Sequence, residues 1–332
     1  MNISFNGKYG FVALNKILSL ARYEEFLAKA YHADMLYLAK HKEQKATPQS
    51  LLKTANSAIV FQKHYEPHPK TKDLPIGLKI ASYALGEDYH HWFKEELQII
   101  ADDLKRQFPD EEFLCFTDSA PVLERELALR AGLGWIGKNA CLIDEKTGSF
   151  FFIGEIYTSL DLTENKQMAP DRCGTCTRCI DACPTGAIKE DRFIDSSLCI
   201  SYQTIEAKQT PPEDLRNKLN GWHFGCDICQ EVCPWNEKAF GKEHFKQKHD
   251  KTKQEILDSH RWILTASNRE IERTFKGTAL LRASAKHHRR NALISLVHYQ
   301  LTELLPEVRA MAKRFTDLED LCHWVCVELE QH

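Results

Sequence analysis

The stretch Cys173-Gly-Thr-Cys176-Thr-Arg-Cys179-Ile-Asp-Ala-Cys183-Pro184, followed by Cys226-Asp-Ile-Cys229-Gln-Glu-Val-Cys233-Pro234, decides how this chain is built. Its first block is the run C-x2-C-x2-C-x3-C-P of bacterial ferredoxins. There, closely spaced thiolates converge on one iron–sulfur cube and the fourth cysteine reaches across to a second. The second block lacks one cysteine of that pattern, and Cys199 is the nearby thiol that completes it. The spacing predicts two [4Fe–4S] clusters in a ferredoxin-like segment. Cys173, Cys176, Cys179 and Cys233 hold one, and Cys183, Cys199, Cys226 and Cys229 hold the other. Paired C-x2-C blocks also build zinc sites with four cysteine ligands. The run ending in proline and the even division of eight ligands favour cubanes.

Around this segment the chain is ordinary globular material: 332 residues, 43% hydrophobic, 44 Lys and Arg against 47 Asp and Glu, net charge −3. That length suits two or three domains. Residues Met1 to Leu20 show no signal-peptide pattern, and no 18-residue apolar span occurs. A cytoplasmic protein with no membrane partner is the expectation. In that reducing compartment, twelve cysteines point to metal rather than disulfides. The four cysteines outside the blocks carry less. Cys115 lies in an apolar run that reads as a buried strand, and Cys322 and Cys326 share one helical face, so packing explains all three. Cys141 follows a glycine-rich turn and receives no assignment.

Residues 1–168 alternate helical and extended patterns. Helices are expected over Leu14–Ala39, Tyr89–Gln107 and Ala120–Ala131, and strands over Ser57–Phe61, Glu112–Thr117 and Phe150–Leu162. This reads as an α/β or α+β catalytic domain, followed by the cluster domain at 169–240 and a helical region at 241–332. Residues 237–290 hold fourteen Lys and Arg against seven Asp and Glu, whereas the last 32 residues hold three against seven. A solvated helix face accounts for such a run. A phosphate-binding surface built from Lys276, Arg282, Lys286, Arg289 and Arg290 is the sharper alternative.

Asp118 falls where a strand hands over to a helix, in Phe116-Thr-Asp-Ser-Ala-Pro-Val-Leu-Glu-Arg-Glu126. Helix capping by Asp118 or Ser119 accounts for the residue types. A ligand site at the carboxyl end of a strand accounts for them equally. Capping would lower the Asp118 pKa and oppose proton donation, and only apolar burial would raise it. Gly132, Gly134 and Gly137 fit G-x-G-x-x-G by spacing, but the loop follows a helix instead of opening one. A dinucleotide fingerprint is therefore disfavoured.

Taken together, these residues resemble the epoxyqueuosine reductase family, cobalamin-dependent iron–sulfur enzymes that finish queuosine synthesis in tRNA. The resemblance covers most of the chain. It runs through Ala81-Ser-Tyr-Ala-Leu-Gly-Glu-Asp-Tyr-His90, the Asp118 segment, Ala131-Gly-Leu-Gly-Trp-Ile-Gly-Lys-Asn139 and Phe152-Ile-Gly-Glu-Ile156. Both cysteine blocks, Cys199-Ile-Ser-Tyr-Gln-Thr-Ile-Glu206 and Phe275-Lys-Gly-Thr-Ala-Leu-Leu-Arg282 continue it. It implies an N-terminal cobalamin-binding domain, a two-cluster ferredoxin-like domain and a C-terminal HEAT-like helical segment, here short for the family. It implies base-off cobalamin between the first two parts, with Asp118 as proton donor and Lys138, Gly154, Glu155, Ser201 and Asp227 as cofactor contacts. No Asp-x-His-x-x-Gly motif occurs, so a protein histidine replacing the lower cobalt ligand is not expected. The implied partners are tRNA carrying epoxyqueuosine in its anticodon loop and a small flavodoxin- or ferredoxin-type electron donor. A reductive dehalogenase is the rival enzyme, but those usually carry an export signal and have no use for a basic helical region. A pure electron-transfer subunit would leave Asp118 and the N-terminal domain without a role.

Overall fold

A computed structural model describes residues 1–65, 74–162, 168–248 and 250–331. The strands are β1 (Lys8–Ala13), β2 (Ser57–His64), β3 (Lys79–Ile80), β4 (Phe113–Phe116), β5 (Trp135–Ile136), β6 (Leu142–Ile143), β7 (Phe151–Thr158) and β8 (Trp222–Phe224). Four of them form one antiparallel sheet in the order β1-β2-β7-β4. The strand β1 was not expected, and the helix expected over Leu14–Ala39 is two shorter pieces. The first is α1 (Leu20–Ala28); Ala30 (φ 54°) and Ala33 (φ 49°) then turn the chain left-handed before a second helix begins at Leu36. The helix α2 (Tyr89–Gln107) matches its expected span, and α3 (Glu124–Arg130) starts four residues later than expected. Its N-cap position is Leu123, with no side-chain cap, so Asp118 does not cap it.

Because successive strand residues face opposite sides, β7 serves two layers. Ile59, Phe61, Phe152 and Ile156 pack against the α2 stripe Phe93, Leu97, Ile100 and Leu104. Val60, Phe151 and Tyr157 pack on the other side against Leu127 and Ala128 of α3. Helices on both faces of a purely antiparallel sheet make this part α+β rather than a doubly wound α/β fold.

Gly154 lies on the α2 side, where a Cβ would come within 2.7 Å of Leu97 Cδ1 and 3.0 Å of Phe93 Cε1. Its expected role as a cofactor contact gives way to a packing role: it lets α2 approach the sheet. Gly154→Ala is expected to destabilise the protein by about 1–3 kcal/mol through overpacking. Thermal unfolding of the variant against wild type checks this, and an unchanged midpoint would refute it.

Beyond the cluster loops come α4 (Ile200–Ile205), α5 (Lys253–Thr265), α6 (Asn268–Phe275), α7 (Ala285–Tyr299), α8 (Leu305–Arg314) and α9 (Glu319–Glu330). Capping boxes at Thr252/Glu255, Ser267/Glu270 and Ser284/His287 start α5, α6 and α7. One apolar core joins Ile80, Trp222 and Phe224 to Leu280, Leu293, Leu296 and Cys322. The strands β3 and β8 pair in parallel within it, Lys79 opposite Trp222 and Ile80 opposite Phe224. The core therefore crosses the boundary expected at residue 240 and recruits a segment of the N-terminal part. Cys115 and Cys322 are buried, as a packing role requires.

Candidate active site and cluster loops

Asp118 stands two residues beyond the end of β4, at the centre of a three-residue turn closed by the Ser119 amide donating to the Thr117 carbonyl at 2.5 Å. Its φ of +51° is left-handed, a conformation that costs a non-glycine residue about 1–3 kcal/mol unless its surroundings hold it. Three groups hold it. The Glu124 carboxylate accepts from the Asp118 amide at 2.5 Å. The Tyr89 hydroxyl donates to Asp118 Oδ2 at 2.5 Å, and His90 Nε2 reaches the same oxygen at 3.3 Å. Oδ1 is left for a ligand.

Tyr89 and His90 are placed by the start of α2. The N-cap Asp88 accepts from the His90 amide at 3.1 Å and from His90 Nδ1 at 2.7 Å. The Tyr89 ring stacks on Phe152, with centroids 4.1 Å apart. With a carboxylate at each ring nitrogen, His90 has a raised pKa: the Asp118 hydrogen bond contributes most, burial opposes it, and Asp88 adds to it. For Asp118, burial acts to raise the pKa, but the hydrogen bonds from His90 and Tyr89 outweigh it and the net shift is downward. The neighbouring acids behave oppositely. Burial, then the charge of Asp118, pushes Glu124 up to about 8. Glu155 is 0% exposed, neither carboxyl oxygen has a hydrogen-bond partner, and burial raises its pKa strongly. None of Tyr89, His90 and Glu124 was assigned a role from sequence, although each lies in a motif quoted there. The signal was Asp-Tyr-His at the start of an amphipathic helix.

Asp118 and Glu124 open onto a cavity of about 920 Å³. Phe151 and Ile153 of β7 form one wall, Tyr23 and Phe26 of α1 another, and Arg192 and Phe193 of the cluster segment a third. The Arg22 guanidinium lies 4.0 Å over the Phe193 ring and joins α1 to the cluster segment. Glu155 shares its sheet face with Ile153, and so does Gln62, whose amide atoms are also buried without partners.

The cluster cysteines act on one another electrostatically, though among the described residues no three metal-ligating side chains converge on one point. Burial, then Cys233, Cys173 and Cys176, pushes the Cys179 thiol up to about 11. Burial and Cys183 raise Cys199, while burial and Cys199 raise Cys226. Cys229 is raised by the hydrogen bond its thiol donates to Cys141, by burial, and by Cys141, Cys226 and Cys199. Cys141, unassigned from sequence, thus sits against a predicted ligand.

Three expected cofactor contacts are engaged within the protein instead. Lys138 donates to the carbonyls of Gly174 and Cys176, both at 2.8 Å, and so braces the first cysteine loop. Asp227 Oδ2 accepts from the amide and hydroxyl of Ser82, both at 2.7 Å, tying the second loop to the N-terminal part. The Ser201 amide hydrogen-bonds the Cys199 sulfur. Glu155 carries buried carboxyl oxygens without hydrogen-bond partners.

The basic residues divide as well. Arg289 and Arg290 are each 1% exposed. Arg289 donates to Asn268 Oδ1 at 2.7 Å and the Ala266 carbonyl at 2.6 Å. Arg290 donates to the carbonyls of Gln203, Ala207 and Gln209 at 2.6, 2.5 and 2.9 Å. Both are interior braces of α7, which corrects their expected place on an RNA surface. Lys276, Arg282 and Lys286 are exposed; Arg282 pairs with Glu206 at 2.8 Å and Lys286 with Asp317 at 2.7 Å.

Two family models match the chain. One, "4Fe-4S double cluster binding domain", covers residues 172–236, and the other, "Epoxyqueuosine reductase QueG, DUF1730", covers 45–119. An epoxyqueuosine reductase of Cyclobacterium marinum is 41% identical over 273 residues, which are 81% of this chain and 85% of that one. The one from Pseudomonas aeruginosa is 34% identical over 300 residues, 89% of this chain and 81% of that one. Among solved structures, an epoxyqueuosine reductase with an epoxyqueuosine-modified tRNA-Tyr stem loop aligns with a TM-score of 0.81 at 26% identity, covering 97% of this chain and 86% of that one. The Bacillus subtilis enzyme, described with its catalytic aspartate loop swung out of the active site, has the same TM-score, identity and coverage.

Proposed function

The chain belongs to the epoxyqueuosine reductase family, and from that premise we propose how its residues carry out the reaction. The protein reduces epoxyqueuosine to queuosine in tRNA, using two [4Fe–4S] clusters. Two electrons and two protons remove the epoxide oxygen as water and leave an alkene. The observation that carries the residue-level reading is the Asp118 carboxylate, gripped on one oxygen by Tyr89 and His90 at a cavity that also meets the cluster segment. Asp118 presents Oδ1 to the substrate and passes on a proton drawn from His90.

The cavity suits cobalamin. Gln62 and Glu155 carry buried polar atoms without protein partners on the sheet face that Ile153 turns toward it. The cavity wall around Phe151 and Ile153, with Gln62 and Glu155 buried behind it, would hold the cofactor in base-off form, and it would supply the strongly reducing centre that C–O cleavage needs. Cys183, Cys199, Cys226 and Cys229 carry the inner cluster; Cys173, Cys176, Cys179 and Cys233 carry the outer one. Supporting this, Gly174, Thr175, Thr177 and Arg178 around the outer loop are exposed. A small flavodoxin- or ferredoxin-type donor would deliver electrons there. No helix among the described residues is long and apolar enough to cross a membrane.

Lys276, Arg282 and Lys286 offer phosphate contacts, with Arg282 exchanging Glu206 for RNA. Replacing all three by alanine is expected to weaken binding of a tRNA stem-loop and to flatten its salt dependence by about 0.7–0.9 per lost contact. The unfolding midpoint should stay unchanged. The function itself is tested by anaerobic reconstitution with iron, sulfide and cobalamin, a reductant and epoxyqueuosine-tRNA. Conversion should require cobalamin. A protein that binds no cobalamin and converts nothing would leave electron transfer as its role.

A further inference from the structure

Resting on that reading, we propose that Glu124 is a second acid of the site, storing one of the two protons that the reaction consumes. The proton balance requires two sources within reach of the leaving oxygen. As the first C–O bond breaks, the oxygen takes one proton; as the second breaks, it takes another and departs as water. Two electrons reach the carbons through the clusters. Asp118 has one carboxyl group, and the donors converging on its Oδ2 favour its ionised form, so it relays the single proton of His90. A separate store must supply the other.

Three acids lie near the turn, the buried Glu126 and Glu155 and the half-buried Glu124, and the first two fail. Glu126 is tied up: its oxygens accept from the Leu18 amide at 2.6 Å, the Ser19 amide at 2.9 Å and the Ser19 hydroxyl, and Arg130 lies at 3.6 Å. Those donors occupy both of its oxygens and leave neither free to face the substrate. Glu155 keeps a proton but is 0% exposed and lines no part of the cavity. Glu124 meets both requirements. It lines the cavity beside Asp118, and its Oε1 is occupied by the Asp118 amide at 2.5 Å, which leaves Oε2 as the oxygen that carries a proton.

The surroundings of Glu124 favour the neutral acid. Asp118 faces it with negative charge, the neutral Glu155, Tyr89 and Tyr157 lie within electrostatic reach, and Lys45 and Arg125 oppose with positive charge. Lys45 is itself weakened by burial and donates to the Val122 carbonyl at 3.2 Å, while Arg125 donates to the Ala140 carbonyl at 2.7 Å. With a pKa of about 8, Glu124 holds its proton about ten to one at pH 7. After turnover it reloads from water at the cavity mouth.

Glu124→Gln tests this in the reconstituted holoenzyme, because the amide oxygen still accepts from the Asp118 amide but has no acidic proton to give. The expected loss in kcat is roughly 10²-fold or more, with KM for the stem-loop little changed. Activity of the wild type should fall as pH rises through about 8, where Glu124 loses its proton, and the variant should lose that component of the alkaline limb and keep only the fall set by His90. Independently of activity, infrared difference spectra of the cobalamin-free protein should show a protonated carboxyl band that titrates near pH 8 and is absent from the variant. A variant with wild-type kcat and an unchanged alkaline limb would overturn the proposal, as would the absence of that band in the wild type. If Glu124→Gln loses its clusters, Glu124→Asp replaces it: a retained acid should keep both the band and the alkaline limb, and loss of both with intact activity sinks the idea. An active Glu124→Gln beside an inactive Asp118→Asn refutes only this inference. A wild type that leaves epoxyqueuosine unconverted refutes the reading beneath it.

Discussion

Asp118→Asn is expected to lower kcat by about 10²–10⁴-fold while leaving the clusters, the fold and stem-loop affinity in place. Asparagine tolerates the left-handed backbone at φ +51° nearly as well as aspartate, so the turn between Thr117 and Ser119 survives. Its side chain still meets Tyr89 and His90 but carries no ionisable proton. The loss therefore reports proton transfer alone. Asp118→Ala adds the strain of a left-handed residue with no side-chain anchor, so it should be no more active than Asp118→Asn. Single-turnover conversion of an epoxyqueuosine stem-loop is the measurement. A wild-type rate with Asp118→Asn would remove Asp118 from the proton path.

The second large effect concerns which cysteine serves which cluster. Cys233→Ala should empty the outer cluster although Cys233 lies in the second block, and Cys183→Ala should empty the inner one although it lies in the first. Cys233 acts on Cys179 ahead of Cys173 and Cys176, which matches a shared cube. Each variant should fall from about eight iron atoms per chain to about four and lose essentially all turnover, since electrons must pass both clusters. Iron and sulfide analysis with paramagnetic resonance of the reduced protein distinguishes the outcomes. If Cys233→Ala instead perturbs the cluster held by Cys226 and Cys229, the cross-over pairing is wrong.

Much of this was legible before any coordinates. The thiol spacing is rigid chemistry, so a double-cluster domain could be read off directly, and the α2 stripe from Phe93 to Leu104 has a period that only a helix satisfies. What could not be read was where polar side chains find partners. A basic run such as Lys286 to Arg290 looks the same whether its guanidiniums face RNA or carbonyls more than eighty residues away, as those of Arg290 do. Lys138 and Asp227 were likewise placed in the right motifs, but their partners come from loops distant in sequence. Asp118 was located at its strand end. Its φ and its grip by Tyr89 and His90 depend on how α2 meets the sheet, which no local pattern encodes.

The pairing of β3 with β8 also sets an order of events during synthesis. Lys79 must wait for Trp222, 143 residues later, before its strand has a partner. At ~5–20 residues per second that is a wait of roughly 7–30 seconds on the ribosome. Until then the chain just ahead of Tyr89 and His90 lacks its final anchor, and Ser82 lacks the Asp227 carboxylate. By the time β8 emerges, the cysteines up to Cys199 have already left the ribosome. The catalytic turn therefore acquires its full support only as the last cluster ligands appear, so its assembly and the completion of the cysteine set fall in the same interval of synthesis.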